Sequence, residues 1–130
     1  MSDDVVRDAL MWLEYAIGDL EAARPRPGRS FRPRHVANLA QQAGEKALKA
    51  GVVLVGQTPP RTHDLELLRD MLPDGWRAKR QPTDLERLSS YGIQARYPDN
   101  TVQVTAMQSA TAVRQAIAVV LDEATTVCKV

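Results

Sequence analysis

The sequence predicts an all-α fold: an up-and-down bundle of four to five antiparallel helices that takes residues 1–130 as a single domain. Three observations predict it. Apolar side chains recur every three to four residues over long stretches, the period of a helix with one buried face. Clusters rich in proline and glycine cut these stretches where a helix cannot continue. No stretch has the alternation or β-branched density of a sheet, and aromatics make up only 5% of the chain.

Ser2 or Asp3 can cap a first helix beginning near Asp4, whose acidic first turn suits the helix dipole. Ala9, Trp12, Leu13, Ala16, Leu20 and Ala23 form its apolar stripe, with Trp12 as the large anchor. Arg24-Pro25-Arg26-Pro27-Gly28 ends it. The linker beyond holds Arg24, Arg26, Arg29, Arg32 and Arg34 around Phe31, a group able to hold phosphates and stack on a base, or simply to be a solvated loop.

Pro33 opens the second helix, which runs to about Val55 and organises the rest. Val36, Leu39, Ala40, Ala43, Ala47, Ala50 and Leu54 share one side, with Gly44 and Gly51 at its margin. These small residues let a neighbouring helix come close. Asn38, Gln42, Glu45, Lys46 and Lys49 take the other side, which reads as a solvated face with Glu45 paired to Lys49.

Gly56-Gln57-Thr58-Pro59-Pro60 is a break. Thr62 is the expected cap of a third helix, with His63 and Asp64 in its first turn and Leu65, Leu67, Leu68 and Met71 on its buried side. Pro73-Asp74-Gly75 ends it, and Trp76 to Arg80 reads as a connecting loop. Thr83 and Glu86 have the spacing of a capping box for a helix carrying Leu85 and Leu88. Pro98 interrupts the chain after Tyr91. The last helix starts between Asn100 and Thr105 and carries Ala106, Ala110, Val113, Ile117, Val120, Ala124 and Val127 at heptad-like spacing.

Bulk properties narrow the function classes. A net charge of +1 gives no global basic field, so any nucleic-acid contact must rest on local clusters. The single Cys128 rules out an intramolecular disulfide and a cysteine metal cage, and two histidines with no suitable spacing give no metal site. No cofactor is expected. No apolar run approaches the roughly 20 residues that span a bilayer, and the acidic start has no signal-peptide core. A cytoplasmic location is the expectation.

Three elements then occur in order: Gln-Gln-Ala-x-Glu-Lys-Ala-Leu-Lys-Ala at 41–50, Thr-His-Asp-Leu at 62–65, and Tyr-x5-Arg-Tyr-Pro at 91–98. Together with the first helix they resemble the HEPN family of small prokaryotic helical domains. The resemblance covers roughly positions 8 to 127. It implies a bundle, commonly a homodimer in which two copies of a site face a shared cleft. It also implies a minimal nucleotidyltransferase as partner, often as a toxin–antitoxin pair. Active members are metal-independent ribonucleases with an Arg-x4–6-His motif near the start of the last long helix. Arg96 matches that arginine. Thr101, Val102 and Gln103 stand where the histidine belongs, and Tyr97 replaces the polar residue that usually follows the arginine.

The missing histidine matters because metal-free RNA cleavage needs a group that transfers protons near neutrality, which arginine does not do. The leading expectation is therefore a module with a degenerate nuclease site. It binds RNA or nucleotide phosphate through Arg96, with Tyr97 stacking or hydrogen-bonding, Asp99 orienting Arg96, and Lys46 and Lys49 adding charge. A ribonuclease toxin pairing Arg96 with a displaced histidine, His63 or His35, is the alternative. An oligomerisation adaptor with no nucleotide is a further one.

Overall fold

The computed structural model describes residues 2–28, 31–80, 84–94 and 103–129. They form six helices: α1 (Asp3–Ala22), α2 (Pro33–Leu54), α3 (Leu65–Asp70), α4 (Arg77–Arg80), α5 (Leu85–Gln94) and α6 (Ala106–Cys128). The all-helical bundle is as expected, with one short helix more: Arg77–Arg80 coils where a loop was read, its turn closed by Lys79 and Arg80 amides donating to the Trp76 carbonyl.

Local chemistry sets the boundaries. Ser2 Oγ accepts from the Val5 amide at 3.3 Å and starts α1. Proline at the first position starts α2 without a side-chain cap, since its missing N–H is one the helix could not satisfy anyway. The α3 cap falls on Asp64 and not on Thr62: Asp64 Oδ1 accepts from the Glu66 and Leu67 amides at 3.0 and 3.3 Å. Thr62 Oγ1 in turn accepts from the Asp64 amide at 3.1 Å. Thr105 and Gln108 form a reciprocal capping box at α6. Of the features read from sequence, Arg29, Thr83, Arg96, Tyr97, Pro98 and Asp99 lie outside the described residues.

α2 is the centre, packed against α1, α6, α5 and α3. The end of α1 (Leu20, Glu21, Ala23) and the first half of α6 (Ser109 to Ile117) line one cavity, so these helices run antiparallel. Val36 of α2 joins that cavity, and Gly51 further along α2 meets Glu123 further along α6, so α2 and α6 share a direction. The segment α3–α5 carries the chain back between them.

Leu48, Leu54, Leu65, Leu68, Leu85 and Leu88 are the large fully buried side chains. Each contributes about 1.5–3 kcal/mol by leaving water. Close approach falls at Gly51, one of the two glycines of α2 that predicted it. A Cβ on Gly51 would stand 2.4 Å from Glu123 Oε2 and 2.9 Å from Leu72 Cδ2. Glu123 is fully buried, and neither of its carboxylate oxygens has a hydrogen-bond partner among the described residues. Burial, and secondarily the charge of Asp122, push its carboxyl up to about 8.

The second face of α2 departs from expectation. Glu45 and Lys49 are buried, as is Gln41 beside them, because α3 and α5 fold over that face and α1 covers its flank. A solvated face was read; the bundle encloses much of it.

Candidate functional site

Gln41, Glu45 and Lys49 stand one helical turn apart along α2, which puts their side chains in a row. Lys49 Nζ donates to Glu45 Oε2 at 3.0 Å, and Gln41 Nε2 donates to Glu45 Oε1 at 3.2 Å. The same Oε1 lies 2.7 Å from His63 Nδ1, across from the turn that leads into α3. Glu45 therefore engages three partners inside the protein. Burial by itself raises its pKa; the hydrogen bonds of His63, Lys49 and Gln41 outweigh burial and hold it below the ordinary carboxylate value. The Lys49 ammonium also sits 5.6 Å from the centroid of the Trp12 ring, giving that core anchor an electrostatic role as well.

The backbone around His63 is fixed from two sides. Gln41 Nε2 donates to the His63 carbonyl at 3.1 Å, and Ser89 Oγ of α5 donates to the same oxygen at 2.9 Å. Ser89 Oγ also accepts from the Leu65 amide at 2.9 Å. One hydroxyl thus clamps both ends of the turn. His63 is left part-exposed at the junction of two cavities. One, of about 250 Å³, is lined by Asn38, Gln41, Gln42, Glu45, Lys46, His63 and Gly92. The other, of about 730 Å³, is lined by Arg61, Thr62, His63, Asp64, Glu66, Glu86, Ser89 and Ser90.

α5 reaches the site at very short range. Asn38 Nδ2 donates to the Tyr91 carbonyl at 3.4 Å, and a Cβ on Gly92 would stand 2.6 Å from Gln41 Cδ. Gly92, at the wall of the smaller His63 cavity, lies two residues before Gln94, the last described residue of α5.

Of the expected site residues, the structure brings His63 and Lys49 together on Glu45 and places Lys46 beside them at the smaller cavity. Lys46 Nζ is bound to Asp19 Oδ2 of α1 at 2.6 Å, so both lysines have a carboxylate partner. His35 is elsewhere, edge-on to Phe31 with ring centroids 6.1 Å apart. Gln41, Glu45, Ser89 and Asp19 were not singled out as site residues by sequence. The four-residue spacing of Gln41, Glu45 and Lys49 was the available signal, whereas Ser89 and Asp19 gave none. Glu66, Asp84 and Glu86 also bring carboxylate oxygens within 4.8 Å of one another at the outer rim of the larger cavity.

A helical bundle whose central helix carries a buried carboxylate, bonded to a part-exposed histidine in the turn before the next helix, defines a small α-helical domain with a built polar site. The HEPN domain model matches residues 9–124, and the chain belongs to that family. Among solved structures it is similar to TT1696 from Thermus thermophilus, with 28% sequence identity and a TM-score of 0.75 over 90% of this chain and 96% of that one. No curated protein matches the chain.

Proposed function

We propose that this chain is an HEPN module that binds RNA or nucleotide phosphate at the His63 pocket, with Arg96 as the phosphate contact. In this reading it is a cytoplasmic homodimer that works with a minimal nucleotidyltransferase in a toxin–antitoxin-like pair. The observation that carries the reading is the meeting of two cavities, lined chiefly by polar residues, at a histidine fixed by Glu45, Gln41 and Ser89. The larger cavity has the size of a small-molecule or nucleotide site. Gly92, in the wall of the smaller one, stands four residues before Arg96 in the sequence, and the guanidinium fork of an arginine suits phosphate oxygens. Tyr97 and Asp99 would stack against a base and orient Arg96. Lys46 and Lys49, already paired, would contribute mainly by balancing Asp19 and Glu45.

The 2.7 Å contact between Glu45 and His63 favours a second reading, a metal-independent endoribonuclease. Glu45 occupies Nδ1, so proton chemistry at this residue belongs to Nε2. His63 would take the proton of a ribose 2′-hydroxyl, and the 2′-oxygen would attack the adjacent phosphorus while Arg96 binds its non-bridging oxygens. The bond to the 5′-oxygen breaks and that oxygen takes up a proton, leaving a 2′,3′-cyclic phosphate and a 5′-hydroxyl.

One experiment separates the readings: labelled RNA is incubated in EDTA with wild type, Arg96→Ala and His63→Ala, and both anisotropy and cleavage are followed. Binding lost in Arg96→Ala with no cleavage by any protein supports the binding module. Cleavage by wild type alone supports the ribonuclease. No binding and no cleavage of RNA, together with no nucleotide binding, would sink both.

A further inference from the structure

Where the end of α1 meets the start of α2 and the first half of α6, the bundle leaves a cavity of about 530 Å³, within the range of small-molecule sites. Leu20 and Ala23 of α1, Val36 of α2, and Val113 and Ile117 of α6 give it apolar walls. Ile117 is 41% exposed, so these walls face water. The one buried polar side chain among the lining residues is Ser109, whose hydroxyl donates its only proton to the Ala106 carbonyl at 2.9 Å. A polar ligand group finds no free side-chain donor in that interior; a hydrocarbon needs none.

The rim is charged, and unevenly. Arg24 lines it, and Arg32 caps α2 one turn before Val36. Both arginines are exposed, and neither guanidinium has a carboxylate partner among the described residues. Glu21 is the single acidic residue of the lining. Between Glu21 and Glu45 the sequence holds five arginines and no acidic residue, so the potential at this end of the bundle is positive.

We propose that this cavity binds the tail of a single-chain amphipathic anion, a fatty carboxylate of medium length, with Arg24 on its head group. The apolar walls take the hydrocarbon, which gains by leaving water. The head stays at the rim, because a carboxylate cannot enter an interior that offers it no donor. There the guanidinium fork of Arg24 matches the two carboxylate oxygens, and Arg32 adds a second positive charge. Glu21 opposes the anion and holds the attraction below what the arginines alone would give. A free amphiphile suits the site better than a membrane lipid, whose tails are already out of water in the bilayer. No residue lining this cavity lines either His63 cavity, so the proposal rests on neither reading of the function.

Titration calorimetry of the full chain with decanoate, kept below the concentration at which it forms micelles, tests this, with helicity read by circular dichroism. Wild type is expected to bind decanoate, to ignore acetate, and to bind decanol about 10-fold more weakly or less. Arg24→Ala should bring decanoate down to the level of decanol, whereas Glu21→Gln should tighten it. Ala110→Trp, at an exposed position of the cavity lining, should fill the space and abolish binding with helicity unchanged. Vesicles of anionic phospholipid should not compete. A wild type that binds no decanoate overturns the proposal, and so does decanol binding as tightly as decanoate. Affinity indifferent to Arg24→Ala removes the head-group contact, and binding that survives Ala110→Trp marks adsorption elsewhere; either result overturns it too. Capture of the protein by the vesicles in place of decanoate does the same. None of these readouts involves RNA or nucleotide, so failure here is distinct from failure of the proposed function.

Discussion

His63 Nδ1 rests 2.7 Å from Glu45 Oε1, joining the turn before α3 to the buried face of α2 across 18 residues of chain. Two more groups hold that geometry: Gln41 bonds both the Glu45 carboxylate and the His63 carbonyl, and Ser89 bonds the same carbonyl from α5. Glu45→Gln keeps the shape and removes the charge that engages both His63 and Lys49. If His63 acts on RNA, Glu45→Gln and His63→Ala should each lower the cleavage rate about 100-fold or more. If the pocket only binds, Glu45→Gln should change affinity severalfold with no cleavage in any protein. Single-turnover cleavage and anisotropy on the same samples decide it.

Gly92→Ala is expected to disturb the site before it disturbs the fold. Its new methyl would occupy the space of the Gln41 amide, which stands 2.6–2.9 Å from that point. Gln41 must then swing away and release the His63 carbonyl and Glu45. Ligand affinity should fall while the melting temperature drops by only a few degrees. An unchanged affinity would show that Gln41 is not needed at the site.

Two glycines of α2 should respond to alanine with opposite signs. A Cβ on Gly44 meets Leu65 and Leu88 at an ordinary 3.5 Å, so Gly44→Ala gains about 0.5–1 kcal/mol from reduced backbone freedom. The 2.4 Å approach to Glu123 at Gly51 reverses this. Gly51→Ala should lose about 1–3 kcal/mol through overpacking in a site with no slack. Urea denaturation of the two variants measures both.

Stability should fall as the solution becomes alkaline. The Glu123 carboxyl titrates near 8 in the fold, above its ordinary 4.5. The folded state thus holds a proton that the unfolded chain gives up, and the stability this represents is complete below about 4.5 and lost as pH rises through about 8. The slope is about 1.4 kcal/mol per pH unit at most. Glu45 has the opposite sign: its lowered pKa stabilises above 4.5, and that contribution is lost as pH falls through the lowered value. Melting temperatures should therefore decline from pH 6 to pH 9 and also in acid. Glu123→Gln should flatten the alkaline decline and leave the acid one. A wild-type profile flat from pH 6 to 9 would mean that Glu123 is not buried uncharged.

The sequence by itself determined the long helices and the family. Helical periodicity, capping residues and proline breaks act within a few residues, so α1, α2 and α6 were legible to within a turn. The glycines of α2 likewise announced a close approach, realised at Gly51. The error at Thr62 was of the same local kind, a cap displaced by two residues to Asp64.

What only the tertiary structure decided is which polar residues are enclosed and with whom they pair. Glu45 and Lys49 looked like a solvated pair because an i,i+4 couple has the same appearance in water and under two covering helices. Ser89 and Asp19 joined the network only because α5 and α1 pack against α2, and Glu123 was sealed only because α6 meets Gly51. Helix formation depends on short-range periodicity and hydrogen bonds. Burial of a charge depends on neighbours brought from far along the chain, which no local pattern of residues encodes.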